Sequence, residues 1–531
     1  MLLMYYFLSR GLVVLMAFRE LCFPKRFQLQ PSQLEAADLL GPGSAKRGLL
    51  LFHRIGSGKT CAAIRVCEAW KGRRTLVVVL PASLVGNFFK ELRSSCVDGS
   101  YGETDAEARA AAEAAGYRVM SYHRYVRLAR EGAVAGLLRN AVLVMDEVSN
   151  VVSEKGAFYA AVRDSVMAAP PDLRVVLLSA TPIFDRPQEL ALVLNLLRPP
   201  VPLPTGAEFN AAFIERGGED GVRLANADVL RSRVAGLVSY SAGAPAAAFP
   251  RLRFRHVRCR MSSYQHRSYL AVERQSGGPS FRDILDLPND FLIALRTISN
   301  VAFPERATGE EGADAFRGAA VLEANNEEDG LRRYSAKFHR MLRALRKGGG
   351  PAFVYSNFSG FGGLASFARV LEANGFVPFS QTNESENGKK KKRFAWWTGD
   401  TPASAREAML ATYNSPENRD GGLIKVILGS PAMKEGVSLV GCRSVHIMEP
   451  YWNTSRINQI MGRAVRMCSH KALPAEEREV AVSLYLAVAP PSAALEAAGR
   501  QKMVDEHIVA MAKAKERLVD EFFGVLRDES V

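Results

Sequence analysis

The feature that most constrains this chain is RGLLLFHRIGSGKTCAAIRVCEAW, residues 47–70: an apolar run, a glycine-rich turn, then a helical pattern. A strand must enter a loop that glycine traces most easily and leave it as a helix with unpaired N–H groups. Gly56 and Gly58, with Ser57 between them, let backbone amides wrap phosphate oxygens where the helix macrodipole favours anions. Lys59 is placed to reach the β- and γ-phosphates, and the Thr60 hydroxyl to ligate Mg2+. The strict phosphate-loop pattern has glycine where this chain has His53, so GSGKT carries the reading. It implies ATP and Mg2+ as cofactors.

The rest of the chain repeats that logic. LLLFH (49–53), TLVVVL (75–80), AVLVM (141–145) and LRVVLLS (173–179) are near-continuous apolar runs, which suit strands of a parallel sheet covered on both faces. A second set follows Pro351: AFVYS (352–356), RFAWW (393–397), IKVILG (424–429), SVHIME (444–449) and VAVSLYLA (480–487). At 531 residues one core is not enough. The expected fold class is α/β, with two RecA-like parallel-sheet lobes and a mainly helical intervening segment. The expected domains are an N-terminal extension (1–28), lobe 1 (29–200), the intervening segment (201–350), and lobe 2 with a C-terminal helix (351–531).

In VLVMDEVSN (142–150) two carboxylates follow a buried strand directly. Asp146 is positioned to hold magnesium through water, and Glu147 to orient and deprotonate an attacking water. LLSATPIF (177–184) ends the next strand, and Ser179 and Thr181 match the superfamily 2 coupling motif linking the ATP site to the nucleic-acid surface. NQIMGRAVR (458–466) fits QxxGRxxR, and the three-residue spacing of Arg463 and Arg466 predicts one helical face. Arginines delivered from an opposing lobe can stabilise charge on the γ-phosphoryl group. Glu147, Gln459, Arg463 and Arg466 are therefore the candidate catalytic set.

Longer stretches narrow the family. LQPSQ (29–33), LPASLVGNFFKEL (80–92), TPIFDRPQELALVLNLLRP (181–199), GLVSY (236–240), YSAKF (334–338) and FVYSNFSGFGG (353–363) carry the resemblance, with EGVSLVGCRSVHIMEPYWNTSRINQIMGRAVRMCSHKALP (435–474) the most specific. From Leu29 onward the chain resembles the helicase-like ATPases of nucleocytoplasmic large DNA viruses, relatives of Swi/Snf-type translocases. That resemblance implies that Gln33 contacts adenine and that Gly436 joins the ribose and nucleic-acid sites. It implies an ATP hydrolase moving on nucleic acid, DNA rather than RNA, in viral early transcription, with a viral RNA polymerase or transcription-factor subunit as partner. The implied location is intracellular: viral factory, host cytoplasm or virion, with the nucleus an alternative. Ser149 departs from the family, which commonly has histidine there to bridge to Gln459. Two rival readings are a non-catalytic DNA- and polymerase-binding factor and an RNA helicase of RNA processing or termination.

Charge agrees with a polyanionic partner: Lys and Arg exceed Asp and Glu by 14. RLRFRHVRCRM (251–261) reads as a half-buried strand. LRRYSAKFHRMLRALRK (331–347) reads as one helix with Tyr334, Phe338, Met341, Leu342 and Leu345 on its apolar face. Their arginines fit either solvated faces or a basic surface bordering the nucleic-acid path. ENGKKKKRF (386–394) reads as an exposed loop or a nuclear-import signal. The seven cysteines show no CxxC and are expected as isolated thiols. The apolar start, 1–18, reads as a packed extension or as sequence ahead of a true start at Met16, and no membrane span is expected.

Overall fold

Strands form where the apolar runs lie. The computed structural model describes residues 18–23, 29–54, 56–94, 96–97, 101–153, 156–217, 221–275, 292–304, 309–323, 330–380, 392–433, 437–491 and 502–531. The N-terminal stretch 1–17, the lysines 389–391 and Gly436 lie outside the described residues. Contacts divide the chain into two units, Met1–Ala248 with Ala514–Val531, and Phe249–Lys513.

In the first unit the strands are β1 (Gly48–His53), β2 (Thr75–Leu80), β3 (Tyr117–Ser121), β4 (Ala141–Met145), β5 (Arg174–Ser179), the short pair β6 (Ile214–Arg216) and β7 (Val222–Leu224), and β8 (Val238–Ser241). Six of them make one sheet in the order β3-β2-β4-β5-β1-β8, every pairing parallel. Leu49–Leu51 and Val142–Leu143 are fully buried. Each such aliphatic side chain contributes about 1.5–3 kcal/mol. The sheet order brings the ends of β1, β4 and β5 side by side, so the loops that follow them share one edge. This is a RecA-like lobe.

The second unit holds β9 (Arg251–Arg260), β10 (Ala352–Tyr355), β11 (Phe376–Pro378), β12 (Lys392–Trp397), β13 (Val426–Gly429), β14 (Ser444–Ile447) and β15 (Glu479–Val488). Their order is β11-β12-β13-β10-β14-β15-β9, again all parallel, and this is the second RecA-like lobe. The segment 201–350 is mainly helical, yet supplies an edge strand to each sheet, β8 and β9.

Three expectations need correction. β9 is not half-buried: among the described residues it pairs only with β15, within the strand Cys259 alone is buried, and Leu252 and Phe254 are 43% and 41% exposed. Alternation specifies a strand, but not whether a second layer covers it. The helix expected over 331–347 breaks at Ser335, whose backbone is extended (φ −150°, ψ 103°), giving helices Leu331–Tyr334 and Ala336–Lys347. There the Ser335 hydroxyl accepts the Phe338 N–H at 3.0 Å, the N-cap bond that serine makes more readily than it continues a helix. Finally, Cys61 and Cys96 form a disulfide with Cα atoms 5.5 Å apart, while Cys67, Cys259 and Cys442 are free and buried. A separation of 35 residues without a motif leaves no trace of such pairing in the sequence.

Candidate nucleotide site

The candidate phosphate loop leaves β1, a strand buried along its whole length. Gly56 and Gly58 have φ of +84° and +72°, left-handed values, and Gly58 caps the helix Lys59–Trp70. That cap is braced from the preceding helix, Pro31–Leu40. Gln33, 4% exposed, donates Nε2 to the carbonyls of Ser57 and Gly58, each at 3.3 Å, while its Oε1 accepts the Gln30 N–H at 2.8 Å. A Cβ on Gly58 would sit 2.1 Å from Gln33 Nε2, so any side chain there would displace the amide that braces the loop, besides straining a left-handed backbone. Ser57 is buried, and Lys59 and Thr60 open the helix half-buried.

His53, the departure from the phosphate-loop pattern, is a strand residue with a buried ring. Its Nε2 pairs with the Ser239 hydroxyl on β8 at 3.1 Å. Burial, and secondarily the Lys59 charge, push its pKa down to about 4, so it stays neutral near the loop.

Beyond β4, Asp146 N–H continues the ladder to Val79 O at 2.9 Å, and Asp146 Oδ1 accepts the Glu147 N–H at 2.9 Å. Glu147 then takes a left-handed turn (φ 50°, ψ 48°). That conformation costs a non-glycine residue roughly 1–3 kcal/mol and is found mostly where geometry serves a site. It sets Glu147 Oε1 3.8 Å from Lys59 Nζ, with both side chains partly exposed. The candidate phosphate-binding lysine and the candidate base thus approach one another.

The next layer is the coupling set. Ser149 Oγ lies 3.3 Å from Ser179 Oγ, which also accepts the Thr181 N–H at 3.0 Å. The turn after β4 is therefore bonded directly to the end of β5. The sequence reading missed Glu189. Its carboxylate accepts the N–H groups of Phe184 and Asp185 at 2.7 and 2.9 Å, clasping the turn after Thr181. Burial outweighs those bonds and raises its pKa to about 7. Asp185 in turn pairs with Lys515 at 3.1 Å, 330 residues away, a contact with no local signal.

In the second unit, Gln459 and Arg463 lie on the helix Thr454–Ala464, Gln459 half-buried and Arg463 8% exposed. Arg466 does not share their helical face: Val465 (ψ 80°) ends the helix, and Arg466 Nε folds back to Gly462 O at 3.0 Å. Here helical spacing persists in the sequence beyond the helix itself. Glu449, also missed, is fully buried at the end of β14. It accepts from Ser356 Oγ (2.9 Å), Asn357 N (2.6 Å) and Nδ2 (3.0 Å), and Asn300 Nδ2 (3.1 Å). Arg456 on the motif-bearing helix donates to Asn357 Oδ1 at 3.2 Å, tying that helix to the same hub.

Among the described residues no three His, Cys, Asp or Glu groups form a metal cage. Mg2+ typically needs only one or two carboxylates beside substrate phosphates, so the donor chemistry of Thr60 and Asp146 fits it. No helix among the described residues is long and apolar enough to cross a membrane.

Comparison with known proteins finds two helicase domains along the chain. The DEAD/DEAH box helicase model matches residues 30–190, and the helicase conserved C-terminal domain matches 336–468. A putative ATP-dependent RNA helicase of Acanthamoeba polyphaga mimivirus is 37% identical, covering 89% of this chain and 85% of that protein. The termination factor NPH-I homolog of African swine fever virus is 27% identical over 93% of this chain and 77% of its own length. The Pyrococcus furiosus Hef helicase domain is 14% identical with a TM-score of 0.43, covering 88% of this chain and 97% of that one. The chain belongs to the superfamily 2 helicases of nucleocytoplasmic large DNA viruses, and is an ATP-hydrolysing enzyme of helicase type that binds nucleic acid.

Proposed function

We propose that this enzyme is a DNA-dependent translocase that couples ATP hydrolysis to movement along DNA during viral transcription. The observation carrying the catalytic half is the 3.8 Å approach of Lys59 to Glu147 beside a loop that Gln33 braces. Amides of the Gly56–Thr60 turn cradle the phosphates, and Lys59 holds the β- and γ-groups. Magnesium, held by Thr60 and through water by Asp146, would neutralise phosphate oxygens. Glu147 takes the proton of the attacking water, which attacks the γ-phosphorus as the bond to the bridging oxygen breaks. Gln459, Arg463 and Arg466 meet the charge that develops on the γ-phosphoryl group, and Gly436 belongs with the ribose contacts. Ser149, Ser179 and Thr181 relay the state of the site to the nucleic-acid surface.

The choice of DNA follows the resemblance of 435–474 to relatives of Swi/Snf-type translocases, and the likeness to a protein named as a termination factor homolog favours a viral RNA polymerase or transcription-factor subunit as partner in an infected cell. The second reading, an RNA helicase, draws on the mimiviral relative's printed name. ATP turnover measured with duplex DNA, single-stranded DNA and RNA separates them. Stimulation by duplex DNA above the other two is expected; stimulation by RNA alone would replace this reading with the second.

A further inference from the structure

The arginines singled out in 251–261 and 331–347 do not all behave alike. Arg251 and Arg253 are bound to Glu479, and Arg255 donates to Ser483, so these three are largely satisfied along the β9–β15 edge. The arginines further along are arranged differently. Arg258, Arg260, Arg332, Arg340 and Arg343 line a cavity of about 560 Å³ between the end of β9 and the helices Leu331–Tyr334 and Ala336–Lys347. An adjoining cavity of about 530 Å³ shares Arg260 and Arg332 and adds Arg267, Arg333 and Tyr264. Arg258 pairs with Glu506 at 2.5 Å, whereas Arg260, Arg340 and Arg343 make no ion pair among the described residues. The Tyr264 ring is fixed: its hydroxyl donates to Phe303 O at 2.7 Å, the Tyr334 ring meets it edge-on, and the Arg333 guanidinium lies 5.2 Å from its centre.

We propose that these two cavities form one groove in the second unit that holds a nucleic-acid strand by its phosphates, lined by none of the residues assigned to ATP or to coupling. Three kinds of observation converge. Every cation lining the groove is arginine, whose planar fork takes phosphate oxygens two at a time. The charge runs through two connected concavities, as a backbone with repeated anions requires. Arg260, Arg340 and Arg343 line it without an ion pair among the described residues, so their charge is open to an anion. Such a groove would add an anchor that does not depend on ATP and reads no sequence. The proposal rests on the nucleic-acid motor reading above and adds to it the place where the strand is gripped.

The test uses the full chain, a labelled single-stranded oligonucleotide, the matching duplex, and fluorescence anisotropy over a salt series. Arg340→Gln/Arg343→Gln removes two exposed side chains from the groove. Arg163→Gln/Arg223→Gln removes the same charge from exposed positions of the first unit. The groove variant should bind at least about tenfold more weakly, since charge-assisted contacts are individually strong. The slope of log affinity against log salt should drop by about 1.4 on the single strand, about 0.7 per lost phosphate contact. The control pair should match wild type, and ATP turnover without nucleic acid should be unchanged in both. Equal losses in both variants would reduce the effect to bulk charge and overturn the proposal, as would wild-type binding by the groove variant. If poly-glutamate bound wild type and only that binding were lost in the groove variant, the groove would belong to an acidic polypeptide instead. A wild-type chain that binds no nucleic acid would overturn the motor reading itself, a result distinct from all of these.

Discussion

The two lobes share a parallel-sheet plan but fill their cores differently. In the first unit Lys515 is the one charged residue under 9% exposed among those described. In the second, Arg296, Lys337, Lys425, Glu449, Arg463 and Asp505 are all that deeply buried. Lys337 Nζ lies 2.6 Å from Asp505 Oδ2 and 2.9 Å from Asn300 Oδ1, and Asn300 reaches Glu449. The first lobe presents its charges at strand ends and holds them with backbone geometry: left-handed glycines and a left-handed Glu147. The second holds its loops with an internal chain of charge. Buried pairs of this kind add little net stability when intact, but breaking one is costly. Side-chain losses in the first lobe should therefore register as lost chemistry, and those in the second as lost stability, except at its arginines.

The exception gives the largest expected effect. Arg466→Ala should lower kcat roughly a thousandfold or more with little change in KM for ATP, because in its proposed role it meets charge that develops only during phosphoryl transfer. Steady-state kinetics decide it; a change in KM alone would make Arg466 a ground-state ligand. Next, Lys337→Met leaves Asp505 buried without its cation and should cost about 3–5 kcal/mol, read as a lower melting temperature. Adding Asp505→Asn should recover part of that loss, and no recovery would break the proposed contrast between the cores. In the first lobe, Lys59→Ala should lower turnover about a hundred- to a thousandfold, the usual scale for one oriented donor, while leaving melting unchanged. Turnover near wild type in the folded variant would sink the phosphate-loop assignment.

Acid should also separate the lobes. His53 in the first, and His446 and His470 in the second, are buried neutral, with pKa values pushed down to about 4, 3 and 4. The folded state then binds fewer protons than the unfolded one below pH 6.5, so stability falls as pH drops from 6.5 toward 4. Over that interval each group accounts for at most about 3 kcal/mol. Glu189 works in the opposite sense. Raised to about 7, it contributes stability below its unfolded pKa near 4.5 that is lost as pH rises through 7. In melting curves, His53→Gln should flatten the acid side for the first lobe, and Glu189→Gln should remove a decline between pH 4.5 and 7. The smallest effect belongs to Ser149→Ala. One hydroxyl contact at 3.3 Å is worth about 1 kcal/mol, so nucleic-acid-stimulated turnover should fall tenfold at most. Complete loss of stimulation would make that hydroxyl the principal relay.

The apolar runs predict β2 and β4 to the residue, because a strand buried on both faces leaves an unbroken signature. The glycine turn into the helix Lys59–Trp70 was legible for a similar reason, since strand, turn and helix are contiguous in sequence. Contacts between distant residues were not. Lys337 reads as one more basic residue on a basic helix, and nothing near it announces Asp505, 168 positions on. Glu449 looks like a strand-end acid until Ser356, Asn357 and Asn300 surround it. Ser335 and Val465 were missed because an apolar period of 3.6 crosses a break unchanged, while the break itself depends on a side-chain cap or a single ψ angle.

The final helix, Val504–Asp528, has a consequence in time. Its part beyond Ala514 belongs to the first unit. There Phe523 meets Phe52 on β1, Phe522 stacks on Phe209, Glu521 accepts the Leu224 N–H, and Lys515 pairs with Asp185. At about 5–20 residues per second, a ribosome takes roughly 13–50 s to make the intervening 249–513. Throughout that interval the nascent first lobe leaves Phe52 and Phe209 without the rings that later cover them. Its sheet can assemble early, but its last wall arrives only after the second lobe has been synthesised.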